Sequence, residues 1–468
     1  MKKYLAFAVA SWCAASAFAQ TEPFGTFTKP FAADSPWNIR PIGPVFGAYA
    51  PPLGKYKPSV DKGPYSTSAF LAKDTDQPMV VVLVKSNGGD TDPDARESPT
   101  SVTIPRWPAA TTAAAGTDGH AEIVDPVTGK VHSFWQLRQV NGKWTAALHA
   151  WSPLAGRGWG DPAHYYQGAR ATGVSTIGGL IRIHEVDDGK PVYEHALAMS
   201  MAKEGLAQAP AYIYPATSAD TGAAQDNRGQ IPEGALMMLP PDYKMTYNNP
   251  LLQKVVETLK VYGARVVDRN TDTPFSIYVE NGARWPIWIN NPAADGAMYN
   301  EMEHMRQAMR QVISASSYVD GNGKPTNADK PGNFNILSMR GKWEVVGNAS
   351  ATPAPYNSLT QSVEFTSKPI SQEQSNGNGS GIAGGVTWAR PQPNDKFLLT
   401  GTSSGNAKVK MMIYGSDAAG KAYNYQTPYV ANGQSTVVTW PASGGWAVVY
   451  AFLGANQTGS ASATLIKQ

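Results

Sequence analysis

Apolar positions along the chain fall into two rhythms. Short runs with period-two alternation, broken by Gly, Asn and Ser clusters, predict strands at Met79-Val84, Phe397-Thr400, Val409-Tyr414, Thr436-Trp440 and Trp446-Phe452. The segment from about Gly119 to Met201 reads as mostly strands, and Ala264-Asp268 and Phe275-Val279 as two more. Only two stretches carry a helical rhythm. One begins at Asn249-Pro250, a capping residue followed by a proline suited to the first helical position. It carries Leu251, Leu252, Val255, Val256 and Leu259 and stops at Gly263. The other, Ala297 to Ser314, aligns Met298, Met302, Met305 and Met309, a stripe read as a packing face rather than a ligand groove.

This pattern predicts a mainly β protein: a jelly-roll-like β-sandwich large domain with a few helices, and a smaller C-terminal β-sandwich. The small-residue and proline stretch within 347–356 is the expected linker, with the β-rich, site-bearing domain at 20–346 and, at 357–468, a second sandwich that either binds substrate as a carbohydrate-binding module or merely packs. Residues 1–19 read as a cleavable export signal. Lys2 and Lys3 precede a short apolar run, and Ala17-Phe18-Ala19 supplies the small residues of a cleavage site. A secreted or periplasmic location is expected. The only cysteine, Cys13, leaves with that segment, which excludes disulfides and thiol catalysis from the mature chain. No later segment is long and apolar enough for a membrane span.

The formal charge of +3 loses Lys2 and Lys3 with the leader, 3 − 2 = +1, so nothing electrostatic recommends nucleic acid as a partner. Charged residues are sparse, whereas Gly, Pro, Trp and Tyr are plentiful, a balance suited to strands, turns and ordered loops. Exposed aromatics on such a scaffold stack on sugar rings; the same residues also build ordinary cores.

Six of the seven histidines lie between His120 and His195, among Arg138, Arg170, Arg182, Trp135, Tyr165, Asp125 and Glu185. Alternation places His132, Phe134, Gln136 and Arg138 on one side of a strand, and Arg182 with His184 on one side of another. Projected together onto a concave sheet, such residues make a polysaccharide cleft. As isolated residues, His132, His149, His164 and His184 read as structural. Gly88-Gly89-Asp90-Thr91-Asp92-Pro93-Asp94 sets Asp90, Asp92 and Asp94 at alternate positions, an oxygen-rich loop with either a calcium or a solvated reading; it lacks the glycine and terminal glutamate of an EF-hand. No zinc-protease, nucleophile-elbow or P-loop motif occurs.

Four blocks in order, Asp118-Gly119-His120 running to Asp125-Pro126, Gly179-Leu180-Ile181-Arg182-Ile183-His184-Glu185, His195-Ala196-Leu197 and Tyr262-Gly263-Ala264-Arg265-Val266-Val267-Asp268, resemble segments of a large, poorly characterised family of secreted bacterial proteins. Its members are often joined to carbohydrate-binding modules, which implies work on extracellular glycans. Matching positions make His120, His195, Arg182, Asp125 and Glu185 the candidate catalytic set. Arg138, Trp135, Arg170 and Tyr165 are candidate substrate contacts from clustering, with a polysaccharide as the partner.

Two chemistries fit. β-Elimination needs a cation for a uronate carboxylate, a base and an acid, which Arg, His and Tyr supply. Hydrolysis needs two carboxyl groups, with Asp125 and Glu185 the best pair. The Arg and His content tips the expectation slightly towards a lyase. A non-catalytic glycan binder or an envelope structural protein is the alternative.

Overall fold

The computed structural model describes residues 22–86, 88–286, 296–327, 333–347, 360–376, 386–417, 419–441 and 445–468. The expected leader and the 348–356 part of the expected linker lie outside them. The protein is mainly β, and its larger part is built of stacked layers.

The central sheet runs, by adjacency, Arg40–Phe46, Arg310–Val319, Leu236–Met238, Ala264–Asn270, Leu197–Ala202, Phe275–Tyr278 and Ser59–Asp61. It is mixed, because Leu197–Ala202 is parallel to Ala264–Asn270 and Phe275–Tyr278 is parallel to Ser59–Asp61. Alternation gives this sheet two different faces. Leu197, Met199, Met201, Phe275, Ile277 and Val60 point to one side, where they pack with Leu252, Val255, Val256, Leu259 and the methionines Met298, Met302, Met305 and Met309. Fully burying each such side chain stabilises by about 1.5–3 kcal/mol.

The helix Pro250–Val261 starts where the sequence places it. Asn249 Oδ1 accepts hydrogen bonds from Leu251 N (3.1 Å) and Leu252 N (3.0 Å), and Gly263 takes the left-handed φ of +74° that ends it. The second expected helix is shorter, Gly296–Ala308, and the chain from Arg310 to Val319 is a strand instead of helix to Ser314. Its β-branched and polar content pairs edge to edge with Arg40–Phe46, so tertiary pairing overrides the helical rhythm.

On the other side of the central sheet, Ala198, Val267, Leu236 and Met238 meet Val124 and Val131 of a four-stranded sheet (Leu148–Pro153, Lys130–Trp135, Ala121–Asp125, Ala69–Leu71), with Trp37 and Trp159 stacked at 5.4 Å in the same core. That sheet's far face, through Ile123 and Phe134, packs on a further sheet containing Met79–Leu83 and Ser101–Ile104. Between Pro153 and Leu197 the expected strands are absent, and the chain runs through loops and 3-10 turns that tie the layers together. Glu122 is one knot, accepting from Ser133 Oγ (2.6 Å), Ser175 Oγ (3.0 Å) and Thr176 N (2.7 Å).

The C-terminal part is a two-sheet sandwich, of five and four strands, around Phe397, Val409, Met411, Val449 and Leu465. It begins upstream of the boundary at 346. Ile336, Leu337, Met339 and Trp343 belong to its core, and Glu344–Val345 pairs with Gln372–Ser375. It is locked to the larger part, since Arg340 is buried against Asp92 (3.2 Å) and Asp94, and Trp388 Nε1 donates to Ala216 O (2.7 Å).

Candidate functional site

Arg182, Glu185 and His195 do come together. The expected strand through Arg182 is instead an extended residue leading into the 3-10 turn Ile183–Glu185, which turns Arg182 and Glu185 inward and leaves Ile183 half exposed. His195 Nε2 lies 3.2 Å from Glu185, and its Nδ1 donates to Ala196 O at 2.8 Å. Burial opposes charge on both, yet the pairing wins: Glu185 is held down at about 2 and His195 is raised. Arg182 donates to Glu280 Oε2 (2.9 Å) and Phe27 O (2.9 Å). These three line a pocket of about 80 Å³ with Trp37, Lys29 and Glu194.

The other candidates go elsewhere. His120 is buried, with Nδ1 3.3 Å from Phe134 O, and burial with the charge of Arg170 pushes it down to about 3. It does not line the His195 pocket, so the two histidines do not share that cavity. Asp125 holds the turn after its strand, accepting from Val127 N (3.0 Å) and Thr128 N (3.2 Å), and pairs with Arg106. Gln136 adopts φ +53°, which ends the strand at Trp135 and breaks the expected His132–Arg138 face. Arg138 is then spent on the carbonyls of Gly116 (2.6 Å), Thr117 (2.8 Å) and Leu137 (2.7 Å). Trp135 Nε1 donates to Asp118 Oδ1 (3.3 Å). Tyr165 is buried, donating to Pro93 O (3.1 Å) and accepting from Arg96 Nε (3.1 Å). His132, His149 and His164 are also buried, and desolvation drives each down to about 3. The three aspartates of the 88–94 loop do not converge. Asp92 and Asp94 turn inward onto Arg340, while Asp90 accepts from Ser98 Oγ (3.0 Å) and pairs with Lys85.

A second and larger cavity, about 650 Å³, opens on the central sheet where its covering sheet stops. Its floor follows from register and alternation. Asp268, Ser200, Ser276 and Ser59 are direct neighbours across four strands, and Tyr278 stands beside Asp61 in the next row. Ser200, Ser276 with Tyr278, and Ser59 with Asp61 alternate with residues of the helix-side core (Met199, Ile277, Val60), and a register shift after Met199 and Val266 brings Asp268 into the Ser200 row, so all project to the side away from the helices. Ser59 Oγ donates to Ser276 Oγ (2.7 Å) and Asn270 Nδ2 to Ser200 Oγ (3.0 Å). Asp118 comes in from the loop before the covering sheet, and Tyr56 and Tyr65, both exposed, stand at the margin.

One carboxyl group of this cleft is incompletely satisfied, whereas Asp268 accepts at both oxygens, from Arg170 and from Arg269 N (3.1 Å). Asp61 Oδ1 is buried without a hydrogen-bond partner, and burial raises the group to about 6 against the weaker pull of Lys62. Asp268 accepts from Arg170 Nη1 at 2.7 Å. Burial raises it and the Arg170 charge counteracts. Arg170 is itself buried, with its guanidinium 3.9 Å from the centroid of the Tyr278 ring. Behind Asp268, Asp220 and Glu233 are raised by burial and by neighbouring carboxylates.

Of this set, sequence reasoning named Arg170 alone as a site residue. Asp118 and Asp268 entered it only as members of the sequence blocks, and Asp61, Ser200 and Tyr278 escaped it. The available signal was a polar residue inserted among apolar ones on a buried strand, as in Ser59-Val60-Asp61, Met199-Ser200-Met201 and Phe275-Ser276-Ile277-Tyr278.

No family model and no curated protein matches the chain. Among solved structures, the accessory secretory protein 1, 2 and 3 complex of Streptococcus pneumoniae is 10% identical over 31% of this chain and 99% of that one, at a TM-score of 0.19. The glycosylation-associated Gap123 complex of Streptococcus agalactiae is 11% identical over 27% and 44%, at 0.17. The carbohydrate-binding module TmCBM61, solved with β-1,4-galactotriose, is 11% identical over 31% and 99%, at 0.16. At these scores the likenesses do not bear on function. No helix among the described residues is long and apolar enough to cross a membrane.

Proposed function

We propose that the protein is an exported carbohydrate-active enzyme that hydrolyses a neutral extracellular glycan in the cleft over Asp61 and Asp268. The observation that carries this reading is the cleft itself: a cavity of about 650 Å³ with three aspartates, a tyrosine and serine hydroxyls on its walls and two tyrosines at its margin. Glycoside hydrolysis needs one carboxyl group to protonate the leaving oxygen and another, ionised, to act as base or nucleophile. Asp61, with a free buried oxygen and a raised proton affinity, suits the acid. Asp268, ion-paired to Arg170, suits the carboxylate, with Asp118 nearby. Tyr56 and Tyr65 offer rings on which sugars stack.

Elimination fits less well, because the cations at the cleft are ion-paired. Buried Arg170 lies against Asp268, Arg269 on the cleft wall is held by Asp226 and Thr221 O, and three aspartates against that one lining arginine leave a cleft that repels a uronate polymer. The first and last of the four sequence blocks each place an aspartate in the cleft, Asp118 and Asp268.

The test is a screen of purified protein against neutral and acidic polysaccharides, reading reducing ends and unsaturated uronate in parallel. Reducing ends from a neutral polymer, lost in Asp61→Asn, are expected. Unsaturated product would establish a lyase, and binding without turnover in any substrate a glycan-binding protein.

A further inference from the structure

On the C-terminal sandwich, one sheet turns a band of aromatic rings outward. Along Gly445–Leu453, Ala447, Val449, Ala451 and Leu453 face the core, and Trp446, Tyr450 and Phe452 face away from it. On the neighbouring Lys408–Ser416 strand, Tyr414 is opposite Trp446, Lys410 opposite Tyr450 and Lys408 opposite Phe452. Trp446 is 57% exposed and stacks on Tyr414 with ring centroids 4.8 Å apart. The Tyr414 and Tyr450 hydroxyls lie 3.1 Å apart, so the ring beneath the tryptophan is itself anchored. Beside them Lys410 pairs with Glu373 at 2.9 Å, and Tyr429 OH also donates to Glu373. The outer face of the partner sheet carries Thr400, Thr402, Ser435 and Ser462 with the aliphatic Leu398, Val437 and Ile466, and no aromatic ring among its described strand residues. Closing a sandwich needs apolar residues inside; it does not need rings outside on one sheet only.

We infer that this face is a second glycan-binding site, on which a neutral polysaccharide chain lies along the 445–453 strand with one sugar ring stacked on Trp446. A pyranose has an apolar C–H face and a hydroxyl edge. The face offers the same combination, a pinned flat ring with tyrosine hydroxyls, an ammonium and a carboxylate around it. Protein interfaces, by contrast, deplete charge at their centre, and here Lys410 and Glu373 sit among the rings. Lys410 is offset by Glu373 and Lys342 by Glu344, so the charge on this face is largely self-compensated, which favours an uncharged polymer. From Trp446 to Phe452 the strand runs about 20 Å, at roughly 3.4 Å per residue, enough for several sugar units. The choice of a glycan of the same class as the cleft's substrate rests on the proposed function; the site itself does not use the cleft.

The experiment is affinity electrophoresis of the full-length protein in gels containing xylan, glucomannan, laminarin or galactan, with polygalacturonate as the acidic control. At least one neutral polymer should retard the wild type. Trp446→Ala should weaken that retardation roughly tenfold, the effect of losing one aromatic contact. Trp446→Phe should recover part of it, and both variants should melt as the wild type does. Hydrolysis of short soluble oligosaccharides, where seen, should be unchanged in Trp446→Ala. Asp61→Asn, altered only in the cleft, should be retarded normally. The inference is overturned if no neutral polymer retards the wild type, if Trp446→Ala is retarded like the wild type, or if Asp61→Asn alone abolishes retardation.

Discussion

At His195 both ring nitrogens are committed, one to Glu185 and one to the Ala196 carbonyl, and Arg182 beside it is committed to Glu280 and Phe27. At Asp61 one carboxylate oxygen is buried with nothing to bond, in a cavity about eight times larger in volume (650/80). Both places concentrate the residue types that perform acid–base chemistry. What separates them is leftover bonding capacity. A pair that has spent its donors and acceptors on each other stabilises a fold; a carboxyl group that has not done so is available to a substrate.

The largest expected effect breaks that comparison most directly. Asp61→Asn and Asp268→Asn should each lower turnover of the neutral glycan by roughly a hundredfold or more, the usual scale for a lost acid or base. Melting of Asp61→Asn should hold or rise, since a buried oxygen without a partner is replaced by a neutral group. In the other pocket, His195→Ala leaves Glu185 mostly buried and unpaired, and should cost roughly 3 kcal/mol of stability. Activity per folded molecule should stay near the wild type. If His195→Ala abolished turnover without moving the melting temperature, the two sites would exchange roles.

A pH series sharpens the contrast. If Asp61 is the acid, it must be protonated, so kcat/KM should fall as pH rises through about 6. Stability should follow the other pair. Glu185, lowered from 4.5 to about 2, contributes fully above 4.5 and loses that contribution as pH falls towards 2. His195, raised above 6.5, contributes fully below 6.5 and loses it as pH rises through its folded value. Denaturation midpoints in wild type and Glu185→Gln, measured across pH 2–9, should differ in slope in both windows, and identical profiles would remove the pair from the account.

The last prediction concerns the acids behind the cleft. Glu233 is raised in the folded state, so stability falls as pH rises above 4.5 while the folded chain retains a proton that the unfolded chain has lost. Glu233→Gln should flatten that alkaline slope and leave the pH limb of activity in place. A displaced activity limb would instead make Glu233 part of the titrating catalytic group.

Much of the scaffold was legible. The Asn249-Pro250 start, the methionine stripe and the C-terminal strands each follow from local pattern, because capping, amphipathicity and alternation act over a few residues. The boundary at 346 and the helix end at Ser314 were misplaced for one reason: Ile336 to Trp343 and Arg310 to Val319 take their structure from strands and cores far away in sequence.

For the site, the block resemblance grouped Arg182, Glu185 and His195, which meet, with His120 and Asp125, which lie elsewhere, and that is as far as local information reaches. Whether a polar side chain is satisfied depends on partners such as Glu280 or Phe27, about a hundred residues or more distant. The Asp268–Ser200–Ser276–Ser59 row exists only because strands from three separate stretches of chain align in register. Sequence by itself determined the β character and the alternation within unbroken strands, since these depend on local periodicity. Tertiary structure alone decided which polar groups meet and which remain unpaired, since desolvation and hydrogen-bond completion are set by what packs on them.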